Sequence, residues 1–378
     1  MMSHPPECPE FPLVTIVIPA YNASAFIEST LVSVIRQTYR HLEVIVVDDG
    51  STDETAAIVS AFARKDQRIR LIQQPNSGLA AARNTGIRAA EGDYISNIDA
   101  DDVWHSTCVE RKLAAIANAP FEAKVAYGWS LGIDGLNCLN GRFCMPFLEG
   151  RIFQALVYKF FLCNASSSLV HRTCFETLGL YDTRYYREKA QGCEDWDLHL
   201  RFAKHYKFVL APAFLTGYRQ TTTNMTSDDV TMGRSYRFTM DTARRQSPEI
   251  PARVFRWSFS YFAMYLAFTR SQAGDLCAPW KWLMKALLND PWMTIMRHDF
   301  HTILFRSLID AFIQCWSHWV AGRRISLAQI ENRFCQKPKG VATAWIVRRM
   351  RLHRRLPAQR WERWRIERLL ALERQESK

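Results

Sequence analysis

Leu13 to Ile18 reads Leu-Val-Thr-Ile-Val-Ile and stops at Pro19, a short β-branched run suited to a strand buried on both faces of a parallel sheet. After the turn Pro19-Ala20-Tyr21-Asn22, Phe26, Leu31, Val34 and Ile35 recur at helical spacing. Leu42 to Val47 is a second buried run, ending at Asp48-Asp49-Gly50-Ser51. The alternation continues. Thr52-Asp53-Glu54 opens a helix through Ile58 and Phe62, Ile69 to Ile72 is a strand, Leu79 to Ala90 a helix and Asp93 to Ile98 a strand. This pattern predicts an α/β domain with helices on both faces of a parallel sheet, in which ligands bind outside the carboxyl ends of the strands.

The pattern stops after about Asp228, where segments rich in Trp, Phe, Leu and Arg predict helices. Tyr261, Phe262, Tyr265, Leu266 and Phe268 share one helix, Gly274-Asp275 is a turn, and Trp280 to Leu288 is another helix closed by Asn289-Asp290-Pro291. The pair resembles a single tetratricopeptide-type hairpin. Ile303 to Val320 is the nearest approach to a membrane span, but Arg306 and Asp310 interrupt it and a buried helix is expected. Three regions follow: residues 1–228 as the α/β domain, 229–320 as a helical region and 321–378 as a basic tail.

The notable polar clusters fall at strand ends: Asp48 and Asp49 after the second, and Asp99, Asp101 and Asp102 after the fourth. One such cluster alone would be a turn followed by a helix cap. Two at successive strand ends, with Asn76-Ser77-Gly78-Leu79-Ala80-Ala81-Ala82-Arg83-Asn84 between them, are more specific. The Pro19 to Asn22 turn, Val47-Asp48-Asp49-Gly50-Ser51-Thr52-Asp53, the Asn76 to Gly86 segment and Asp99-Ala100-Asp101-Asp102 resemble the signature of bacterial family 2 glycosyltransferases. These inverting enzymes have the GT-A fold, a nucleotide-sugar-binding domain with a mixed, mainly parallel sheet.

The resemblance implies a role for each matching position. Asp49 would accept from the nucleotide base, a uracil imide suiting its carboxylate. Pro19 and Tyr21 would lie on the donor side. Asp101 would bind Mg²⁺ or Mn²⁺, with Asp99 near the ribose or the metal, since hard oxygen ligands suit a cation bridging a diphosphate. Arg83 would sit near the donor, or pair with Asp93 at the surface. Asp102 would stand behind the metal ligands or cap the next helix, and Trp104 belongs to the core. Asp195, in Gly192-Cys193-Glu194-Asp195-Trp196-Asp197, would be the base for the acceptor hydroxyl with Glu194 supporting it, although the same residues suit a plain helix cap. Phe161 to Leu169 would precede a strand on the acceptor side. Tyr218-Arg219 and Asn224-Met225-Thr226 resemble the segment that closes the domain; the family's histidine is replaced by Gln220-Thr221, leaving Arg219 as the phosphate candidate there.

Charge changes the picture only at one end. Ala321 to Lys378 holds 16 Lys and Arg against 5 Asp and Glu, which accounts for nearly all of the formal net charge of +12. Within it, Val341 to Leu372 interleaves Trp345, Trp361 and Trp364 with arginines, a composition suited to an anionic membrane surface or to a solvated helix held by pairs such as Glu362 with Arg365. A nucleic-acid-binding protein would explain the tail but not the aspartates, so no nucleic-acid partner is expected. Ten cysteines without a Cys-x-x-Cys pair, and an opening without a signal-peptide pattern, make a reducing cytoplasm the default, with peripheral attachment to the inner face of the membrane. The combined expectation is transfer from a nucleoside-diphosphate sugar to a glycan or lipid-linked acceptor in surface polysaccharide synthesis. A nucleotidyltransferase sharing the metal-diphosphate site is the rival.

Overall fold

The computed structural model describes residues 11–221, 228–321 and 357–376. The chain divides into two compact units, one of residues 1–152 and 161–221, the other of residues 153–160 and 222–378.

In the first unit β1 (Val14–Ala20), β2 (Leu42–Asp48), β3 (Ile69–Gln73) and β4 (Tyr94–Asn97) pair in parallel in the order β3-β2-β1-β4. They are joined through α1 (Ile27–Ile35), α2 (Thr55–Ala63) and α3 (Leu79–Ala89), as the periodicity predicts. The first strand runs past Pro19 to Ala20. β4 ends opposite Val17, so the sheet has already narrowed where the proline ring lies. The remaining elements are β5 (Val103–Trp104), α4 (Cys108–Ala117), β6 (Ala123–Ile133), β7 (Leu139–Cys144), α5 (Phe153–Tyr158, part of the other unit), β8 (Ser168–His171), α6 (Arg172–Leu178), α7 (Arg184–Arg187), α8 (Glu194–His205) and β9 (Lys207–Arg219). They extend the sheet as β4-β8-β6-β9-β5, with β7 on β6; β8 runs antiparallel to both neighbours, and β6 and β9 run parallel. The α/β class with a mixed sheet is therefore as expected, its parallel part being the β3-β2-β1-β4 half and the β6–β9 pair.

Packing follows the sequence spacing. On α1, Ile27, Leu31 and Val34 turn inward and are fully buried, each worth roughly 1.5–3 kcal/mol of transfer free energy. On α3, Gly86 admits β1: a Cβ there would lie 2.3 Å from Val17 Cγ1. One position further back in contact terms, Asn84 acts as a strand partner for a distant segment. Its Nδ2 donates to the Tyr181 carbonyl at 2.8 Å and its Oδ1 accepts from the Tyr181 N–H at 2.9 Å, all buried.

Two cysteines lie closer than a reducing default requires. Cys144, at the end of β7, is disulfide-bonded to Cys163, with Cα atoms 6.4 Å apart. The β6–β7 hairpin folds against the segment before β8, a long-range approach that local cysteine spacing does not announce.

The second unit contains α5, α9 (Asp229–Gln246), α10 (Ala252–Gln272), α11 (Ala278–Asn289), α12 (Pro291–Met296), α13 (His298–Ala321) and α14 (Pro357–Glu376). The expected boundaries shift in two ways. Residues 153–160 leave the α/β region, and the last helix joins the helical one. The cause is polar docking: Glu373 accepts from the N–H groups of Phe153 and Gln154, and Glu362 pairs with Lys159 at 2.7 Å. Arg365, expected from sequence to pair with Glu362, binds Asp290, which also caps α12. The apolar run on α13 is amphipathic rather than wholly buried. Ile303, Ser307 and Asp310 face inward, whereas Phe305, Leu308 and Phe312 are exposed. Among the described residues no helix is long and apolar enough to cross a membrane.

Replacing Asn84 by Ala leaves a buried N–H and a buried C=O of Tyr181 without this partner, so the domain should lose about 2–4 kcal/mol. Denaturant unfolding checks this, and a loss below half a kcal/mol would show that the two groups find other partners.

Candidate active site

The aspartates after β2 and β4 lie at the carboxyl ends of neighbouring parallel strands, each within a web of fixed donors. Asp49 follows β2, and its N–H donates to the Ala20 carbonyl at 2.8 Å, which ties it to the Pro19–Tyr21 end of β1. Pro19 is buried within that strand and Tyr21 is 53% exposed. Asp49 Oδ1 accepts from Gln74 Nε2 at 2.7 Å and Ser77 N at 2.9 Å, and Oδ2 accepts from Gly78 N at 2.8 Å. The carboxylate thus sits at the positive end of α3, whose entry residue Gly78 has φ +89°. An oxygen has two lone pairs, so Oδ2 keeps acceptor capacity for a ligand.

Arg83 projects from α3 and is almost fully buried. Its Nη2 donates to Asp99 Oδ1 at 2.6 Å and its guanidinium lies 5.1 Å from the centroid of the Tyr181 ring. Asp93, the surface partner considered from sequence, instead accepts from the Leu13 N–H. Burial opposes the arginine's charge, but the carboxylates of Asp99 and Asp195 outweigh it and hold the guanidinium well above its ordinary pKa. Arg83 Nε remains buried without a hydrogen-bond partner.

The Asp99–Asp102 turn holds three carboxylates in unlike settings. Asp101 is pushed up to about 6, first by burial and then by the charge of Asp99, with Arg219 pulling the other way. Asp102 is fully buried, and burial, Asp101 and Asp99 raise it well above the usual range. It caps no helix. Its oxygens accept from Ser166 Oγ at 2.6 Å and from the Arg219 N–H at 2.9 Å, while Ser166 Oγ also accepts from the Asp99 N–H at 3.0 Å. Trp104 is core, as expected, and its Nε1 donates to the Ser166 carbonyl.

Arg219 is the expected donor residue whose place differs most. Its Nε donates to the Asp101 carbonyl at 2.6 Å, Nη1 to the Asp134 carbonyl and Nη2 to Asn137 Oδ1, each at 2.5 Å, and its guanidinium lies 4.6 Å from the Phe26 ring centroid. The guanidinium expected at a phosphate fastens main chain because two carbonyls converge on the end of β9. Gln220, standing where the family has histidine, is bonded to Asn140. Asn224, Met225 and Thr226 lie outside the described residues.

Glu194 and Asp195 begin α8. Glu194 Oε2 accepts from the Gly192 N–H at 2.6 Å, and Oε1 is buried without a partner. Asp195 Oδ1 accepts from the Trp196 N–H at 2.8 Å. Its carboxyl is pushed up to about 7, by burial above all; Arg83 lowers it, whereas Glu194 and Asp99 raise it further. The helix dipole alone would have made this a weak base, and burial among like charges reverses that. One turn on, His199 Nδ1 lies 2.6 Å from the Asp195 carbonyl and Nε2 3.1 Å from Ser168 Oγ. Burial holds the imidazole down at about 4 and hence neutral.

Arg83, Asp99, Glu194 and Asp195 therefore form one charged group, and Asp101 and Asp102 join it through Asp99. Among the described residues no three potential ligating side chains meet as a cage. The set nonetheless fits a cation shared with substrate: Mg²⁺-type ions bind through one or two carboxylates plus phosphate oxygens, and Asp101 already carries the like-charge strain that a cation relieves. Sequence reasoning missed Tyr181 and Asn97, whose side chains meet at 3.2 Å. It reached Ser166 only within the Phe161–Leu169 segment, because neither Tyr181 nor Asn97 belongs to a local motif.

The family model described as glycosyl transferase family 2 matches residues 15–130, a span from β1 through the Asp99–Asp102 turn into β6. Residues 15–130 are a family 2 glycosyltransferase domain. This domain is 47% identical over 100 residues to an uncharacterized glycosyltransferase, EpsJ, of Bacillus subtilis, covering 26% of this chain and 29% of that one. With the chondroitin synthase of Pasteurella multocida it shares 29% over 198 residues, 52% of this chain and 19% of the relative. The chain thus spans less than a third of either relative's length. Among solved structures it is similar to residues 1–349 of S. aureus TarS at 16% identity and TM-score 0.46, over 77% of this chain and 90% of that one.

Replacing Arg83 by Gln in the glycosyltransferase domain should cost about 3 kcal/mol at pH 8. Glu194 and Asp195 already stand above their ordinary values with Arg83 pulling them down, so without the guanidinium they ionise at a larger penalty and their folded pKa values rise further. The penalty applies while they are charged and is lifted as they protonate, so the deficit should shrink toward pH 5. Unfolding curves at both pH values check this; an equal deficit at the two would mean that charge is not what Arg83 balances.

Proposed function

We propose that the chain is an inverting glycosyltransferase that moves a sugar from a nucleoside-diphosphate donor, a UDP-sugar, to a hydroxyl of a glycan or lipid-linked acceptor in surface polysaccharide synthesis. The observation that carries this is Asp195, a carboxyl at the start of α8 that is pushed up to about 7 beside the Arg83–Asp99 pair. A sugar hydroxyl is a poor nucleophile until its proton is taken, and a carboxyl poised near neutrality takes it best. The family 2 match and the relative named chondroitin synthase support the reaction class.

Asp195 removes the acceptor proton as the acceptor oxygen bonds to the anomeric carbon. The bond from that carbon to the diphosphate oxygen breaks with its electron pair on the diphosphate, and a single displacement inverts the anomeric configuration. Asp49 and the Pro19–Tyr21 turn hold the nucleoside end, with the remaining lone pair of Asp49 Oδ2 taking the base N–H. Arg83 orients Asp99 through its 2.6 Å contact. Asp101, with Asp99, would hold Mg²⁺ or Mn²⁺, which when bound offsets the charge of the leaving diphosphate. Arg219 and Asp102 keep the turn that bears Asp101 in place. The acceptor is reached at the inner face of a membrane.

Calorimetry with a panel of nucleoside diphosphates and nucleotide sugars, with and without Mn²⁺, tests the donor site. Asp101→Ala should lose the metal-dependent binding, whereas Asp195→Asn should keep binding within about threefold and lose 10²-fold to 10⁴-fold in transfer. Nucleoside diphosphate should be released without pyrophosphate. Binding unaffected by Asp101→Ala removes the metal assignment, and pyrophosphate release would make the protein a nucleotidyltransferase.

A further inference from the structure

In the helical unit, α10, α12 and α14 enclose a cavity of about 250 Å³. Its walls are apolar: Val254 and Trp257 of α10, Met293 of α12, and Trp361, Trp364 and Leu369 of α14. At its edge Trp292 is 65% exposed, Trp361 44% and Trp364 45%. Arg253 and Arg368 line it too and are exposed, and no carboxylate or amide side chain lines it. The arginines lean on the rings, Arg368 at 5.3 Å from the Trp364 centroid and Arg253 at 6.0 Å from that of Trp257.

Charge on α14 is sorted by face. Glu362 and Glu373 are buried, the first on Lys159 and the second on the N–H groups that open α5. Arg365 is turned inward onto Asp290 and the Trp257 ring. Arg360, Trp361, Arg363, Trp364 and Arg368 are left outward, with Glu367 the exposed acid among the described residues of the helix. Tryptophans around an apolar recess, with cations at its rim, match the boundary between acyl chains and anionic headgroups. A sugar would need paired acceptors beside the rings, which this recess lacks. A nucleobase would need open stacking faces, whereas alkyl side chains line much of the interior.

We propose that this recess and the outward face of α14 form an anionic-phospholipid site: an acyl chain enters between the tryptophans, and Arg253, Arg363 and Arg368 hold headgroup phosphates. The occupant is bilayer lipid rather than a soluble phosphate. The proposal gives the membrane approach suggested above a place in the fold, and it is read without turnover, so its failure and that of the transferase assignment are distinguishable.

The test is co-sedimentation of the full chain with vesicles of phosphatidylcholine alone or mixed with phosphatidylglycerol. Binding should require phosphatidylglycerol and weaken as salt rises. The double variant Arg363→Gln, Arg368→Gln changes exposed side chains and should lower partitioning roughly thirtyfold, at about 1 kcal/mol for each charge. Trp361→Ala with Trp364→Ala should lower it at least tenfold, and tryptophan fluorescence of the unaltered protein should shift to the blue with vesicles but not with inorganic phosphate. Failure to bind the mixed vesicles, binding that both double variants retain in full, or binding to a single-stranded oligonucleotide in place of vesicles would each overturn the proposal.

Discussion

One buried guanidinium balances the carboxylates on which the candidate site depends. Arg83 projects from α3 into a space that Asp99 and Asp195 reach from β4 and α8, with Glu194 beside them. Removing charges from water costs several kcal/mol each, so such a group persists only if its signs offset and its orientation is held. Tyr181 against the guanidinium and Asn84 on the Tyr181 main chain provide that hold. Because one cation faces several acids, the balance is incomplete. Burial above all, and then the like charges of Glu194 and Asp99, leave Asp195 as a carboxyl that gives up its proton only near neutrality.

A second layer of polar contacts separates support from chemistry. Ser166 links the Asp99 N–H to the Asp102 carboxylate, and the end of β9 closes on Asp102 through the Arg219 N–H. The guanidinium of Arg219 then ties Asp101 to residues 134 and 137. Arg219, expected near the donor, and Asp102, expected behind the metal ligands, thus serve the backbone of the Asp99–Asp102 turn. Position matters there because a shift of 1 Å in a ligand is enough to spoil the geometry of transfer.

Much of the fold was legible in the chain because its signals are local. The buried runs at residues 14–18 and 42–47 and the partly buried run at 69–72 became strands, and of the apolar positions at helical spacing Leu31 and Val34 became the inner face of α1, joined by Ile27 rather than Phe26. The aspartates at strand ends and the Glu194-Asp195 helix start were likewise readable. What escaped depends on residues far apart in sequence. Arg219 could be assigned only once the carbonyls of residues 101 and 134 were seen to converge on it. The same holds for the Cys144–Cys163 bond and for residues 153–160, drawn into the helical unit by Glu362 and Glu373 more than 200 positions later. The inward and outward faces of α13 were hidden because an apolar run with two charges reads alike on either side.

The central claim is that burial, with Glu194 and Asp99 adding to it against the pull of Arg83, sets Asp195 at the threshold of ionisation. Carbon-13 NMR on protein labelled at aspartate carboxyls measures this directly, with Asp195→Asn identifying the resonance. A carboxyl that titrates near pH 7 and disappears in the variant is the predicted result. Titration of Asp195 in the ordinary aspartate range, near pH 4, would contradict the account, because the carboxyl would then be too weak a base and neither burial nor its acidic neighbours would govern it.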